Sequence, residues 1–338
     1  MSDSIQYIPY KKVGSRPNAI VDGPPLASTI LTLSHWPNNQ TPDTLQRDTS
    51  TATVFAYHDK PEFHQAVDIV SNNHFDQDGL FSMFALCFPD SAMPYRDLLE
   101  AAALVGDFGM VGSDDAARLS FIIEAYGDPH TSPLPADTFA GCEDRQTAEA
   151  YQSMLPLMPG FLKDIGRYES CWREQMAHLD FSREQIASGS VVIEEHPEHD
   201  LAIVRIPDEL PEHTVHRYIS SEQAAIHPFA INTVTPCSRI LRMYRGGYDF
   251  HYRYESWLRF LSRRPLLRVA LEGLASQFND IEEAPGTWRA DDVNEVIPRL
   301  YLDGSVRSSI AEDLFLDTLK AYLVAQPVAW DPWDWQGA

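Results

Sequence analysis

The sequence predicts an α/β fold: an N-terminal domain built on a mostly parallel sheet with flanking helices, followed by a smaller α+β domain. Two observations carry that expectation. In the first 145 residues, short β-branched runs alternate with helix-patterned segments, the order that makes crossover connections and parallel strands. From about residue 190 the pattern changes to strand–turn–strand pairs with Gly-Gly and Asp turns, which read as hairpins.

The elements follow in order. Residues 1–25 are rich in Pro and Gly and read as an extended arm. "ASTILTLSHW" (Ala27 to Trp36) has the composition of a strand and runs into the turn cluster "PNNQTP". "TATVFAYH" (Thr51 to His58) reads as a second strand, and "EFHQAVDIV" as a helix or the next strand. "LFSMFALCF" reads as a helix buried on most sides. "YRDLLEAAALVGDFGMV" is a helix or a helix leading into a strand. "SDDAARLSFIIEAYGDP" opens with Ser113 at the N-cap position and two acids in the first turn, a good helix start. Residues 26–145 therefore form one α/β domain. Residues 146–188 are helical and amphipathic, with Leu155, Phe161 and Leu162 on the apolar face, and read as a connector. In residues 189–330, "SVVIEEHPEHDLAIVRIP" is strand, turn, strand; "SRILRMYRGGYDFHYRYES" is a hairpin turning at Gly246-Gly247; and "LEGLASQFNDIE" is a short helix.

Composition narrows the function. The chain has 338 residues, 44% hydrophobic and 22% charged, enough for about two domains with real cores. No apolar run approaches the roughly 20 residues that span a bilayer, so no membrane partner is expected. Cys87, Cys142, Cys171 and Cys237 lie far apart with no C-x-x-C pair, which fits a reducing cytoplasm better than a disulfide framework. The net charge of −23 repels long nucleic acid. Against that background eight arginines, from Arg239 to Arg268, crowd one stretch. They read either as a solvated face or as a local site for a small anion. No G-x-G-x-x-G, P-loop or G-x-S-x-G motif occurs, so nucleotide-fold and serine-hydrolase readings have no motif support.

The densest chemistry lies in "NNHFDQDGLFSMFAL" (Asn72 to Leu86). As a calcium loop it fails: with Gly79 sixth, the first position is His74 and the twelfth is Ala85, neither a Ca²⁺ ligand. As a helix cap it is over-equipped, since one carboxylate is enough. In an extended segment His74, Asp76 and Asp78 project to one side. At the carboxyl end of a strand they would converge in the crevice where open α/β sheets place their sites. Such N/O ligands suit Mn²⁺ or Mg²⁺. Gly79 would let the chain turn sharply into the helix.

"HFDQDGLFSMFAL" resembles the first motif of the DHH phosphoesterase superfamily, in which H-x-D-x-D-G-x-x-S closes a strand and opens a helix; His74, Asp76, Asp78, Gly79 and Ser82 match it. The resemblance implies a two-metal centre, usually Mn²⁺, with His74, Asp76 and Asp78 as ligands. It also implies a metal-bridging Asp at the end of a second strand, for which "AALVGDFG" offers Asp107. The Asp-His-His motif is absent. Two segments compete for its place: His35 in "LTLSHWPNNQTP", whose sequel "RDTSTATVF" resembles the small-residue helix start that follows D-H-H, and the Asp128–His130 pair in "GDPHTSP". His35 is preferred, although it requires a permuted motif order. Asp48 is a guess for the fourth motif. "VALEGLASQF" resembles part of the family's smaller domain, but its G-G-G-H signature is replaced by "APGTWRADD".

The expectation is thus a cytoplasmic, divalent-metal-dependent phosphoesterase. Its catalytic and metal-binding residues would be His35, His74, Asp76, Asp78 and Asp107, with two Mn²⁺ or Mg²⁺ ions. Arg242, Arg245, Arg253, Arg263 and Arg264 would grip a small anionic substrate, a phosphorylated metabolite or a short or cyclic nucleotide. A homodimer is left open. The alternative is a catalytically inactive DHH-like ligand-binding or regulatory module. "EEHPEHD" reads as a hairpin turn and His227 as a satisfied core histidine.

Overall fold

A computed structural model describes residues 5–37, 39–217 and 220–334. The chain divides into two compact units. The first holds Met1–Leu179 and His213–Ala224, the second Asp180–Glu212 and Ala225–Ala338.

The first unit is built on four strands, β1 (Gln6–Tyr7), β2 (Asn18–Val21), β3 (Thr29–Leu33) and β4 (Ile69–Ser71). Their order is β1-β4-β2-β3, and every pairing is parallel. β2 is central and fully buried, so it reads as a continuous apolar run rather than an alternating one. Helices α1 (Ser50–His58), α2 (Gln77–Cys87), α3 (Pro89–Ala92), α4 (Arg96–Phe108) and α5 (Asp114–Gly127) follow. α2 packs against α1, α4, α5 and strands β1, β2 and β4. All eleven of its residues are buried, which answers to its near-uniform apolar sequence. Beyond α5 come α6 (Glu143–Met154), α7 (Met158–Lys163) and α8 (Glu169–Ala187), the last crossing into the second unit. Ser113 caps α5 as expected, accepting from the Ala116 amide.

Strands β5 (Val192–His196) and β6 (Leu201–Arg205) belong to the second unit; the hairpin β7 (His213–Arg217) and β8 (Ser220–Ala224) returns to the first. The second unit continues with α9 (Pro228–Val234), β9 (Arg239–Tyr244), β10 (Gly247–Tyr252), α10 (Glu272–Ile281), β11 (Thr287–Ala290), β12 (Arg299–Asp303) and α11 (Glu312–Ala325). Its sheet runs β11-β12-β10-β9-β6-β5, antiparallel except for β6–β9. Alternation along β6 sorts two cores. Leu201 and Ile203 join Phe250, Phe278, Trp288 and Phe315, while Ala202 and Val204 join Ile226, Ile231 and Ile240. The expected hairpin at Gly246-Gly247 is present, and "PEH" forms the expected turn between β5 and β6. His227 is buried with Nδ1 accepting from the Phe229 amide. Among the described residues no helix is long and apolar enough to cross a membrane.

Two expectations are corrected. Residues 5–25 are not an arm, because β1 and β2 are strands of the sheet, β1 at its edge and β2 within it. Pro and Gly there punctuate short strands. Residues 51–58 are helix α1, not a strand. Thr51, Thr53 and Val54 favour strands locally, but burial on most sides erases the period that would separate the two states. Capping decides the matter. Thr49 accepts from the Ala52 amide, and Asp78 accepts from the Ser50 and Thr51 amides at 2.6 and 2.7 Å.

Candidate metal centre

Three neighbouring parallel strands end at one edge of the first sheet, and each releases a ligand-type side chain there. β2 ends in Asp22, β3 leads through Ser34 to His35, and β4 leads into the His74–Asp78 segment. This is the carboxyl edge, where open α/β sheets bind ligands. Asp22 adopts a left-handed φ of 47°, which short polar side chains tolerate best after Gly. Gly23 follows, its amide bound to Ser34 Oγ at 3.1 Å, so the loops after β2 and β3 are tied together.

Asp22 is the shared member. Its Oδ1 lies 3.2 Å from His35 Nε2 and its Oδ2 lies 3.3 Å from His74 Nε2. Asp22, His74 and Asp76 form one group of ligand atoms, and Asp22, His35 and Asp78 a second. Asp107 stands beside the second, with Oδ2 3.6 Å from His35 Nε2. Both imidazoles are held so that Nε2 faces the acids. His35 Nδ1–H donates to the Asp48 carbonyl at 2.5 Å, and His74 Nδ1–H to Asn73 Oδ1 at 3.3 Å. Outer hydrogen bonds of this kind fix the tautomer of ligating histidines.

Each acid has its own support. Asp76 caps α2, its Oδ1 accepting from the Gly79 amide at 2.7 Å, while Oδ2 sits 2.8 Å from His74 Nε2. One oxygen of this carboxylate thus caps the helix while the other faces His74. Asp78 is wholly buried; each oxygen accepts one amide from the start of α1 and retains a second lone pair. Gly79 is required for close approach rather than for a turn: a Cβ there would lie 2.5 Å from Tyr151 Oη and 2.7 Å from Asn72 Nδ2. Ser82, which completes the sequence motif, bonds only to its own helix, at Gly79 O.

The electrostatics are those of a site seeking positive charge. Burial opposes the charge on Asp22, yet hydrogen bonds and attraction from His35 and His74 hold its carboxyl far below the ordinary range. Burial also opposes protonation of His35, but the bond to Asp22 and the charge of Asp78 raise it to about 9. His74 is raised well above its usual value against the same burial penalty, mainly by Asp76 and Asp22. Burial, then the neighbouring Asp22, pushes Asp78 up to about 7. The two imidazoliums thus act as internal counter-ions for Asp22, Asp76, Asp78 and Asp107. Four carboxylates against two imidazoles, with no thiolate in either group, suit a divalent cation with oxygen and nitrogen preference.

The expected ligands His35, His74, Asp76, Asp78 and Asp107 all come together. One placement is corrected: Asp107 lies in the last turn of α4, not at a strand end. Its surroundings "AALVGD" are apolar because the helix packs on α2 and α5. Asp48 contributes its backbone carbonyl to His35. His130 is exposed in the turn after α5 and belongs to neither ligand group, and Asp128 pairs with His216 Nδ1 at 3.0 Å. Asp22 was missed. "NAIVDG" carries its signal, an apolar run ending in Asp, but Asp-Gly also reads as an ordinary turn.

The arginines of the second unit are occupied with their own fold. Arg253 is buried and donates to the carbonyls of Thr235, Cys237 and Asn232, with Glu255 Oε1 2.9 Å from its Nε. Arg263 pairs with Glu255 and Asp200, and Arg242 with Asp249. Arg245 bonds to Asp208 through its amide and side chain, and Arg264 lies over the Trp333 ring.

A family model described as a family of unknown function, DUF6687, matches residues 3–334. The chain belongs to that family. The match to DUF6687 takes in both units and every residue of the candidate centre. No curated protein and no solved structure matches the chain.

Proposed function

We propose that the protein is a divalent-metal-dependent phosphoesterase acting on a small phosphorylated molecule or a short or cyclic nucleotide. Asp22, His35, His74, Asp76 and Asp78 would hold two ions, Mn²⁺ or Mg²⁺, with Asp107 beside His35. The observation that carries this reading is the division of Asp22: one oxygen faces His35 and Asp78, the other His74 and Asp76. A carboxylate shared between two ligand groups is what a paired-ion site needs.

The likeness of "HFDQDGLFS" to the first DHH motif supports the same chemistry. In this reading the bridging acid at a strand end is Asp22, after β2, and His35 takes the place of Asp-His-His in a permuted order. Two divalent ions, when bound, supply a nucleophile at neutral pH and charge neutralisation at a transferring phosphoryl group. The chain's own part is preorganisation. Asp48 and Asn73 aim the imidazole lone pairs, the α1 amides fix Asp78, and the Gly79 amide fixes Asp76.

The test is ion stoichiometry on the full chain by calorimetry, alongside Mn²⁺-dependent hydrolysis of bis(4-nitrophenyl) phosphate and of a cyclic dinucleotide. About two ions per chain, with turnover lost in Asp22→Asn, supports the reading. One ion or none, without turnover on either ester, favours the binding module, and no ion binding sinks the phosphoesterase reading.

A further inference from the structure

The two imidazoles of the candidate centre are held differently. The His35 side chain is 1% exposed, and its 2.5 Å bond to the Asp48 carbonyl fixes the ring. The His74 side chain is 24% exposed, and its Nδ1 bond to Asn73 Oδ1 is long at 3.3 Å. Bonds at the two ring nitrogens leave an imidazole free to rock about the line that joins them. A contact on the face of the ring is needed to stop that motion.

Trp36 supplies the face. Its ring centroid lies 4.9 Å from that of His74, with the planes tilted by 31°, within the range of offset-stacked aromatic pairs. His35 and Trp36 are consecutive in the loop after β3, so one short segment serves both ligand groups. His35 belongs to the group with Asp22 and Asp78, and Trp36 lies against the histidine of the group with Asp22 and Asp76.

The backbone that carries the indole is pinned on both sides. The Trp36 amide donates to Ser34 Oγ at 3.2 Å, the same hydroxyl oxygen that accepts the amide of Gly23, next to Asp22. The Trp36 carbonyl accepts from Asn39 Nδ2 at 2.6 Å, and Asn39 Oδ1 accepts the Thr41 amide at 2.9 Å. Thr41 Oγ1 closes the circuit by accepting the Ser34 amide at 2.9 Å. An indole on a free loop could not fix a neighbouring ring, whereas this one is anchored to the residues that place Asp22. A divalent cation also withdraws electron density from the imidazole that ligates it. The π-face of Trp attracts positive charge, so the contact strengthens when the ion is bound.

We propose that Trp36 is a positioning residue for the ion held by Asp22, His74 and Asp76: it sets the His74 ring through its face and does not touch the ion. The inference rests on the two-ion reading of the centre and on no turnover or substrate.

Calorimetric titration of the full chain with Mn²⁺, followed in parallel by indole emission, tests it. Trp36→Leu keeps apolar bulk but removes the π-face. It should weaken one of the two ions by roughly 3–10-fold, the worth of a stacked aromatic pair, and leave the other unchanged. Trp36→Phe restores a ring and should recover most of that loss. Open-shell Mn²⁺ quenches a nearby indole, so wild-type emission should fall with a component that follows occupancy of the affected ion. Trp36→Phe should bind both ions and lack that component. Two ions of unchanged affinity in Trp36→Leu, an equal loss for both ions, or a quenching component that survives in Trp36→Phe overturns the positioning role and leaves the centre standing. No Mn²⁺ binding by the wild-type chain removes the two-ion reading and this inference with it.

Discussion

Asp22 and His74 lie 52 positions apart in sequence, yet Asp22 Oδ2 and His74 Nε2 are 3.3 Å apart because β2 and β4 are adjacent parallel strands that end together. The pairing of Ala19 with Val70 and Ile20 with Ser71 sets that meeting. A slip of one residue in this register would turn every side chain of β4 to the opposite face and would separate the two side chains.

Asp22→Asn is therefore the most informative single change. It keeps size and one acceptor oxygen but removes the charge common to both ligand groups. Mn²⁺ affinity should fall by more than the roughly 10–100-fold typical of losing a supporting partner, and for both ions together. Calorimetry that shows one ion unaffected would contradict a shared role.

Asp78→Ala should damage the fold as well as the centre. It leaves the Ser50 and Thr51 amides buried without their acceptor, at about 1–3 kcal/mol each. Asp78→Asn keeps one acceptor and should cost less. Thermal melts without metal check this order, and Asp78→Ala melting like wild type would refute it.

The metal-free protein should lose stability as pH rises from about 6.5 to about 9. His35 has its folded value raised to about 9 from an ordinary 6.5, so its imidazolium pair with Asp22 stabilises fully below 6.5 and fades through 9. His74, raised well above the usual value, acts in the same direction. Ligation needs the neutral imidazole, so Mn²⁺ affinity should increase over this interval and binding should release protons. Calorimetry in buffers of different ionisation enthalpy measures the release; its absence at pH 7 would count against both histidines as ligands.

Gly79→Ala places a methyl 2.5 Å from Tyr151 Oη and should destabilise by about 1–3 kcal/mol. Adding Tyr151→Phe removes the nearest clash. The double variant should then be less damaged than the sum of the singles, a coupling that a double-mutant cycle of melts reads directly.

Arg253→Ala should unfold the second unit at lower denaturant without changing ion stoichiometry. Its guanidinium serves three carbonyls and the buried Glu255, and removing one partner of a buried pair costs about 3–5 kcal/mol. Unchanged stability would reopen a ligand-binding role for this arginine.

Much of the centre was legible where ligands lie within one segment. The clustering of His74, Asp76 and Asp78 is local, although Asp78 lies in the first turn of α2 and not in an extended segment, and the strand that delivers His35 is local too. The same local logic misread Thr51 to His58, because β-branched residues buried on nearly all sides show neither strand nor helix period. It also misplaced Asp107, since an apolar run before an acid fits a packed helix as well as a strand. In the arginine cluster a sequence shows donors without the carbonyls and carboxylates that Arg242, Arg253 and Arg263 meet.

The sequence alone determined the α/β class, the capped start of α5 at Ser113, the hairpin at Gly246-Gly247 and the presence of imidazole and acid groups on one short segment, because these depend on neighbours a few residues away. Tertiary structure alone decided that Asp22 joins both ligand groups, that His35 and not His130 completes them, and that Arg253 is sealed inside its own unit. Those outcomes depend on which strands lie side by side and which polar groups are buried together, and both are set by pairings across long stretches of chain.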